Sequence, residues 1–80
     1  MKIVYLLQSI PHLDRRYIGI ADSLDDRLAD HNAGRSSHTA RYKPWKVMVA
    51  VQFEEDSKAF AFERYLKFGS GHAFAQRHFW

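Results

Sequence analysis

Arg16-Tyr17-Ile18-Gly19-Ile20-Ala21-Asp22-Ser23-Leu24-Asp25-Asp26-Arg27-Leu28-Ala29-Asp30-His31-Asn32-Ala33-Gly34 changes its period halfway along, and that change organises the chain. Arg16 to Ile20 is short, aromatic and β-branched, which reads as a strand. Asp22 or Ser23 then offers a helix cap, with Asp26 three residues after Ser23 in the position of a capping carboxylate. Asp25 and Asp26 suit the positive start of a helix, Leu24 and Leu28 share one face, and Gly34 supplies the stop. A helix of about ten residues is not stable alone, so its leucine face must dock on something.

Toward the N-terminus, Ile3 to Leu7 is an apolar run without alternation, the pattern of a buried central strand. Ile10-Pro11-His12-Leu13-Asp14 breaks it, since proline lacks the ladder donor and aspartate favours a turn. The short gap predicts an antiparallel hairpin with Arg16–Ile20. Gly19, near the end of the second strand, either permits an unusual backbone or lets another group come close.

Toward the C-terminus, Arg35 to Lys43 is polar, rich in Ser and His, and reads as a mobile basic loop. Pro44 favours extended backbone at Lys43. Trp45 to Phe53, with Val47, Val49 and Val51 alternating, is a third strand. Ser57 can cap a following helix, on which Ala59, Phe62, Glu63 and Leu66 lie along one broad side. Gly69-Ser70-Gly71 ends it, and Ser70 can cap a last short helix through Phe74 and His78. The expected fold is a small α/β (α+β) layer in the order β-β-α-β-α-α, a three-stranded, mainly antiparallel sheet with two to three helices.

Eighty residues make one domain, residues 1–80. At 46% apolar and 15% aromatic the chain has globular composition, which excludes disorder. The absence of cysteine excludes disulfides, thiolate metal sites and thiol redox chemistry. Met-Lys-Ile-Val-Tyr-Leu-Leu is too short and too soon polar for a signal peptide or membrane span, so a soluble, cytoplasmic protein is expected. Charge is segregated. His31 to Phe53 holds Arg35, Arg41, Lys43 and Lys46 with no acid, and Lys58, Arg64, Lys67 and Arg77 face Glu63 alone. Such an arrangement suits a polyanion on one side of the molecule, against the plainer reading of a solvated basic face.

Few residues offer chemistry. Arg27 and His31 lie four apart on one helix face, and Tyr17 is on the strand feeding that helix. Arg27 presents a planar fork suited to a phosphoryl group, though it could equally pair with Asp26 or Asp30. Tyr5 and Tyr17, on neighbouring strands, can stand together on one face or simply reach the sheet rim. Glu63 is the only acid after Asp56 and has Phe60, Phe62, Tyr65, Leu66 and Phe68 around it in sequence. Buried, it needs a partner: Arg27 structurally, or Mg²⁺. The histidines make no His-Glu-x-x-His zinc motif, and no glycine-rich nucleotide loop is present.

These signals fall in a familiar order. Val4-Tyr5-Leu6-Leu7, Tyr17-Ile18-Gly19, the helix Ser23–Gly34 with Arg27 and His31, Lys43-Pro44-Trp45-Lys46-Val47 and Ala59–Lys67 around Glu63 together span almost the whole chain. The chain resembles the GIY-YIG nuclease superfamily, and within it small single-domain proteins akin to the nuclease domain of the bacterial excision-repair endonuclease. Ile3-Val4-Tyr5 keeps the tyrosine of the first motif and lacks its glycine, Ile20-Ala21 stands where a small hydroxyl residue is often found, and the late polar position falls to Lys67 or Ser70.

The resemblance implies an endonuclease that cuts phosphodiester bonds with Mg²⁺ or Mn²⁺ and serves DNA repair. Tyr5 and Tyr17 would flank the attacking water, Arg27 would hold the phosphate, His31 would orient or shuttle a proton, and Glu63 would bind the metal. Arg35, Arg41, Lys43, Lys46 and Lys67 would hold the backbone of DNA, with RNA as an alternative. About four such contacts give a salt slope of roughly −3 to −4 and read no sequence, so preference for a flap, nick, branch or single strand, or recruitment by a partner protein, is expected of a monomer or weak dimer. The rival readings are a nucleic-acid binder of the same fold with little cleavage, and a structural or partner-binding domain with an incidental basic face. The nuclease reading requires Tyr5, Tyr17, Arg27, His31 and Glu63 around one open cleft, with the Glu63 carboxylate facing it.

Overall fold

Val4, Tyr5, Leu6 and Leu7 are each completely buried, and a strand can achieve that only with cover on both faces. The computed structural model describes residues Met1–Trp80 and places this run at the centre of strand β1, Lys2–Ser9. Strand β2, Arg16–Ala21, and strand β3, Trp45–Phe53, flank it in the sheet order β2-β1-β3, and both pairings are antiparallel. The three-stranded antiparallel α+β layer expected from the sequence is therefore what the chain adopts.

Alternation along β1 splits the core into two clusters. Val4 and Leu6 pack with Ala59, Leu66 and Ala75, which come from helix α3, Asp56–Lys67, and from Gly69–His78, the final helix. Tyr5 and Leu7 pack with Ala21, Trp45, Leu24 and Leu28 on the opposite face, where helix α1, Leu24–Asn32, lies. Each fully buried large apolar side chain of this kind contributes about 1.5–3 kcal/mol. Strict alternation would put Val47, Val49 and Val51 on one face. Instead, Leu6 pairs with Val49 and Leu7 with Val47, so Met48 is an extra residue and Val47 joins the Tyr5 cluster.

Helix α1 begins and ends as its sequence predicts. The Ser23 side chain accepts from the Asp26 N–H at 3.3 Å. At the far end Gly34, at φ +80°, lets its own N–H reach the His31 carbonyl while Arg35 N–H reaches Asp30. Two other caps differ from expectation. Ser57 lies inside α3, whose first residue is Asp56, and Ser70 lies inside the last helix, which starts at Gly69. Neither helix has a side-chain cap, and at α3 the Asp56 carboxylate already favours the positive end.

Arg35–Lys43 is not a wholly irregular loop. Ser37–Ala40 forms one helical turn, α2, with Thr39 99% buried, and Gly69–His78 is accordingly α4. The Trp45 indole N–H donates to the Thr39 carbonyl at 2.9 Å, and the Trp45 N–H donates to the Asn32 side-chain oxygen at 2.6 Å. These bonds tie the segment to the end of α1 and the start of β3. The aromatic surroundings read around Glu63 also divide: Phe62 packs on the core, whereas Phe60, Tyr65 and Phe68 are exposed. No helix is long and apolar enough to cross a membrane.

Candidate active site

The α1 face of the sheet positions the tyrosines. Leu7 pairs with Tyr17 and Tyr5 with Gly19, so Tyr5 and Tyr17 project on the same side of adjacent strands. Their rings lie 6.2 Å apart, and His31, from the last turn of α1, sits 5.9 Å from Tyr5 and 4.9 Å from Tyr17. Gly19 makes this possible: a Cβ there would collide with the Tyr5 hydroxyl and the Tyr17 ring.

A buried hydrogen-bond chain runs through the cluster. Tyr5 Oη meets His31 Nε2 at 3.1 Å, and His31 Nδ1 meets Thr39 Oγ1 at 2.7 Å. Burial raises the Tyr5 pKa above its ordinary value despite the nearby Arg27 charge, so the phenol keeps its proton at neutral pH. Burial, and then the Arg27 charge, lowers the His31 pKa below its ordinary value of 6.5, so the imidazole is neutral. The Tyr5 O–H has no other acceptor, since Arg27 beside it can only donate, so it donates to Nε2, and Nδ1–H is left to donate to Thr39. Thr39 in turn faces the Ser36 carbonyl at 3.5 Å. Thr39 was not among the residues that the sequence suggested; it sits in a polar stretch with no periodic signal.

The lowered His31 pKa carries a pH prediction. Above pH about 6.5 the histidine is neutral in both folded and unfolded chains. As pH falls through 6.5 the unfolded chain takes up the proton first, so the folded state loses stability down to the lowered folded value. Urea midpoints measured between about pH 8 and about pH 5 are expected to drop on the acid side, and the His31→Gln variant to lose that part of the drop. A drop of the same size in the variant would assign it to other groups.

Arg27 stands beside the Tyr5 hydroxyl, a contact that raises its pKa above the ordinary value, so it is always cationic. No Arg27 N–H reaches Tyr5 with hydrogen-bond geometry; the Nε–H is buried and has no partner, while the nearest acid, Asp30, is 4.0 Å away. An unpartnered buried donor on a permanent cation is a ready seat for an anion. The better partner of Asp30 is Arg35, at 2.6 Å.

Glu63 is not sealed in the core. Its side chain is 19% exposed, its charge reaches Tyr5, and Lys67 holds Oε2 at 2.7 Å. The counter-ion is therefore Lys67 and not Arg27. No group of three or more metal-ligating side chains exists in the fold. A single carboxylate with one oxygen outside an ion pair fits a cation that keeps most of its waters and shares a substrate phosphate, and does not fit a protein-caged one.

The five candidates do not line one cavity, so the single open cleft expected from the sequence is not what the fold presents. Tyr5, Tyr17 and His31 cluster instead through their rings, with Arg27 beside the Tyr5 hydroxyl. Tyr17 lines two clefts along edge strand β2, one of about 320 Å³ and one of about 460 Å³, and both also contain Arg16 and Lys67. Arg27 lines a third, of about 500 Å³, beyond Gly19 at the Ile20-Ala21 end of the same strand. Tyr5, His31 and Glu63 line none of the three; Tyr5 and His31 are fully buried, and Glu63 is partly exposed. Arg41, Lys43 and Lys46 are exposed. Arg15 and Arg16 also line the second cleft, outside the long basic stretch of the sequence; Arg15 stacks over Tyr42 at 4.7 Å and Arg16 over Trp80 at 4.9 Å.

No curated protein matches the chain. The family model for the GIY-YIG catalytic domain matches residues 1–72 of the 80, from the first strand into the final helix. The chain belongs to the GIY-YIG family of nuclease catalytic domains.

Proposed function

We propose that this chain is a divalent-cation-dependent endonuclease that hydrolyses DNA phosphodiesters, selecting strands by shape and not by sequence. The observation that supports it most is the buried Arg27 Nε–H, unpartnered beside the Tyr5–His31–Thr39 chain. A phosphate oxygen is the natural acceptor for that donor, and the guanidinium then stabilises the charge that grows on the phosphoryl group. Tyr17, the partly exposed tyrosine, orients the attacking water from the cleft, and Tyr5 holds the imidazole from behind. His31 is fully buried with both ring nitrogens engaged, so it would take up a proton only through the Tyr5 hydroxyl, which hands its own proton to Nε2 as it receives one from the water. Glu63 would hold Mg²⁺ or Mn²⁺, which when bound neutralises the phosphoryl and leaving oxygens. Arg15, Arg16, Arg41, Lys43 and Lys46 would carry the flanking phosphates, a role in DNA repair being the context the resemblance suggests.

Nicking of flap, gapped and single-stranded DNA is expected with Mg²⁺ or Mn²⁺ and is expected to stop with chelator. Lys67 competes with the cation for Glu63, so Lys67→Ala should bind Mn²⁺ about two- to fivefold more tightly without DNA, the scale of a partly exposed ion pair. Mn²⁺ relaxation titration reads this, and unchanged affinity would remove Glu63 from the metal site. The same ion pair favours the second reading, a binder of the same fold with Glu63 neutralised by Lys67. Strand binding without cutting under either cation would select it.

A further inference from the structure

We propose that the smaller cleft beside Tyr17 is a subsite for one unpaired nucleobase of the bound strand. This rests on the nuclease reading and adds what the substrate must present. The cleft, of about 320 Å³, has apolar walls from Tyr17, Ile18, Leu66 and Trp80, with Arg16 and Lys67 as its cations. That volume is at the small end of ligand pockets and suits one planar group. No acidic side chain lines it.

Its position selects the occupant. The 460 Å³ cleft next to it shares Arg16, Tyr17 and Lys67 and adds Arg15 and Thr39, so it is polar and basic. One strand can lay a phosphate in the polar cleft and turn the adjoining base across Tyr17 into the apolar one. Trp80 is only partly buried, with Arg16 already over its ring at 4.9 Å, so indole and guanidinium planes both lie at the cleft. Bases stack on such planes whatever their identity. A base held in a duplex must first leave its stack and its partner, so strands with an unpaired base beside the bound phosphate are favoured.

The test uses fluorescently labelled oligothymidylate and an abasic strand with the same number of phosphates, bound in chelator so that neither is cut. The wild-type chain should prefer oligothymidylate by about 5- to 150-fold, the range for one stacked base. Trp80→Ala should bring that ratio near one, while Trp80→Phe, which keeps a ring, should retain most of it; circular dichroism shows whether each variant is folded. Equal binding of both strands by wild type, or a ratio unchanged in folded Trp80→Ala, overturns the subsite alone. Binding of neither strand overturns the nucleic-acid reading with it. A base preference without cleavage under any cation supports the subsite and overturns the nuclease reading.

Discussion

Arg27→Ala and Glu63→Ala are each expected to lower strand cleavage by about 100- to 1,000-fold, the usual cost of removing one preorganised charge from a transition state. Both side chains are partly exposed and neither belongs to the apolar clusters, so both variants should fold. Their binding should move in opposite directions. Arg27→Ala removes a phosphate contact and weakens binding, with a salt slope smaller by about one. Glu63→Ala frees Lys67 from its 2.7 Å ion pair and should leave binding equal or tighter. A second readout is independent of activity. Arg27 is one cause of the lowered His31 pKa, so in Arg27→Ala the imidazole should titrate closer to 6.5, which proton NMR follows directly. Arg27→Lys keeps charge but loses the Nε–H and the planar fork, and should fall between wild type and alanine. Cleavage unchanged in either alanine variant would place the cutting elsewhere.

What could be read from the chain was local. The unbroken apolar run of β1 declared cover on both faces, and Ser23 and Gly34 declared both ends of α1, because burial pattern and capping act within a few residues. Contacts that join distant segments were not legible. Thr39 is buried because His31, eight residues back, and the Trp45 indole both bond to it, and nothing in Ser36-Ser37-His38-Thr39 signals that. The bulge at Met48 hides inside an alternation that looks regular. Glu63 and Lys67 are one helical turn apart, a spacing that permits their ion pair, while the isolation of Glu63 among aromatic residues points as readily to a metal. The correction is physical. A cation is already present at that carboxylate, and a metal must compete with it.

Gly19→Ala tests whether the close packing behind Tyr17 serves the chemistry. The new Cβ would overlap the Tyr5 hydroxyl and ring end and come within 2.8 Å of the Tyr17 ring. Tyr5 is fully buried between strand and helix, so it cannot swing to solvent; it must shift toward His31 or push β2 away from β1. Overpacking of this kind costs about 1–3 kcal/mol. In a domain of this size that is expected to lower the melting temperature by roughly 5–20 °C. Tyr5→Phe separates the two consequences. It removes the hydroxyl that Cβ would meet, so Gly19→Ala should destabilise Tyr5→Phe less than it does wild type, and the double-mutant cycle should show coupling. Tyr5→Phe alone leaves His31 Nε2 without its donor, and should lower cleavage while the melting temperature changes less than in Gly19→Ala. Additive melting shifts would mean that the Cβ is accommodated by strand movement. In that case the missing Cβ at Gly19 preserves the β1–β2 pairing, and the placement of the Tyr5 hydroxyl follows from that pairing.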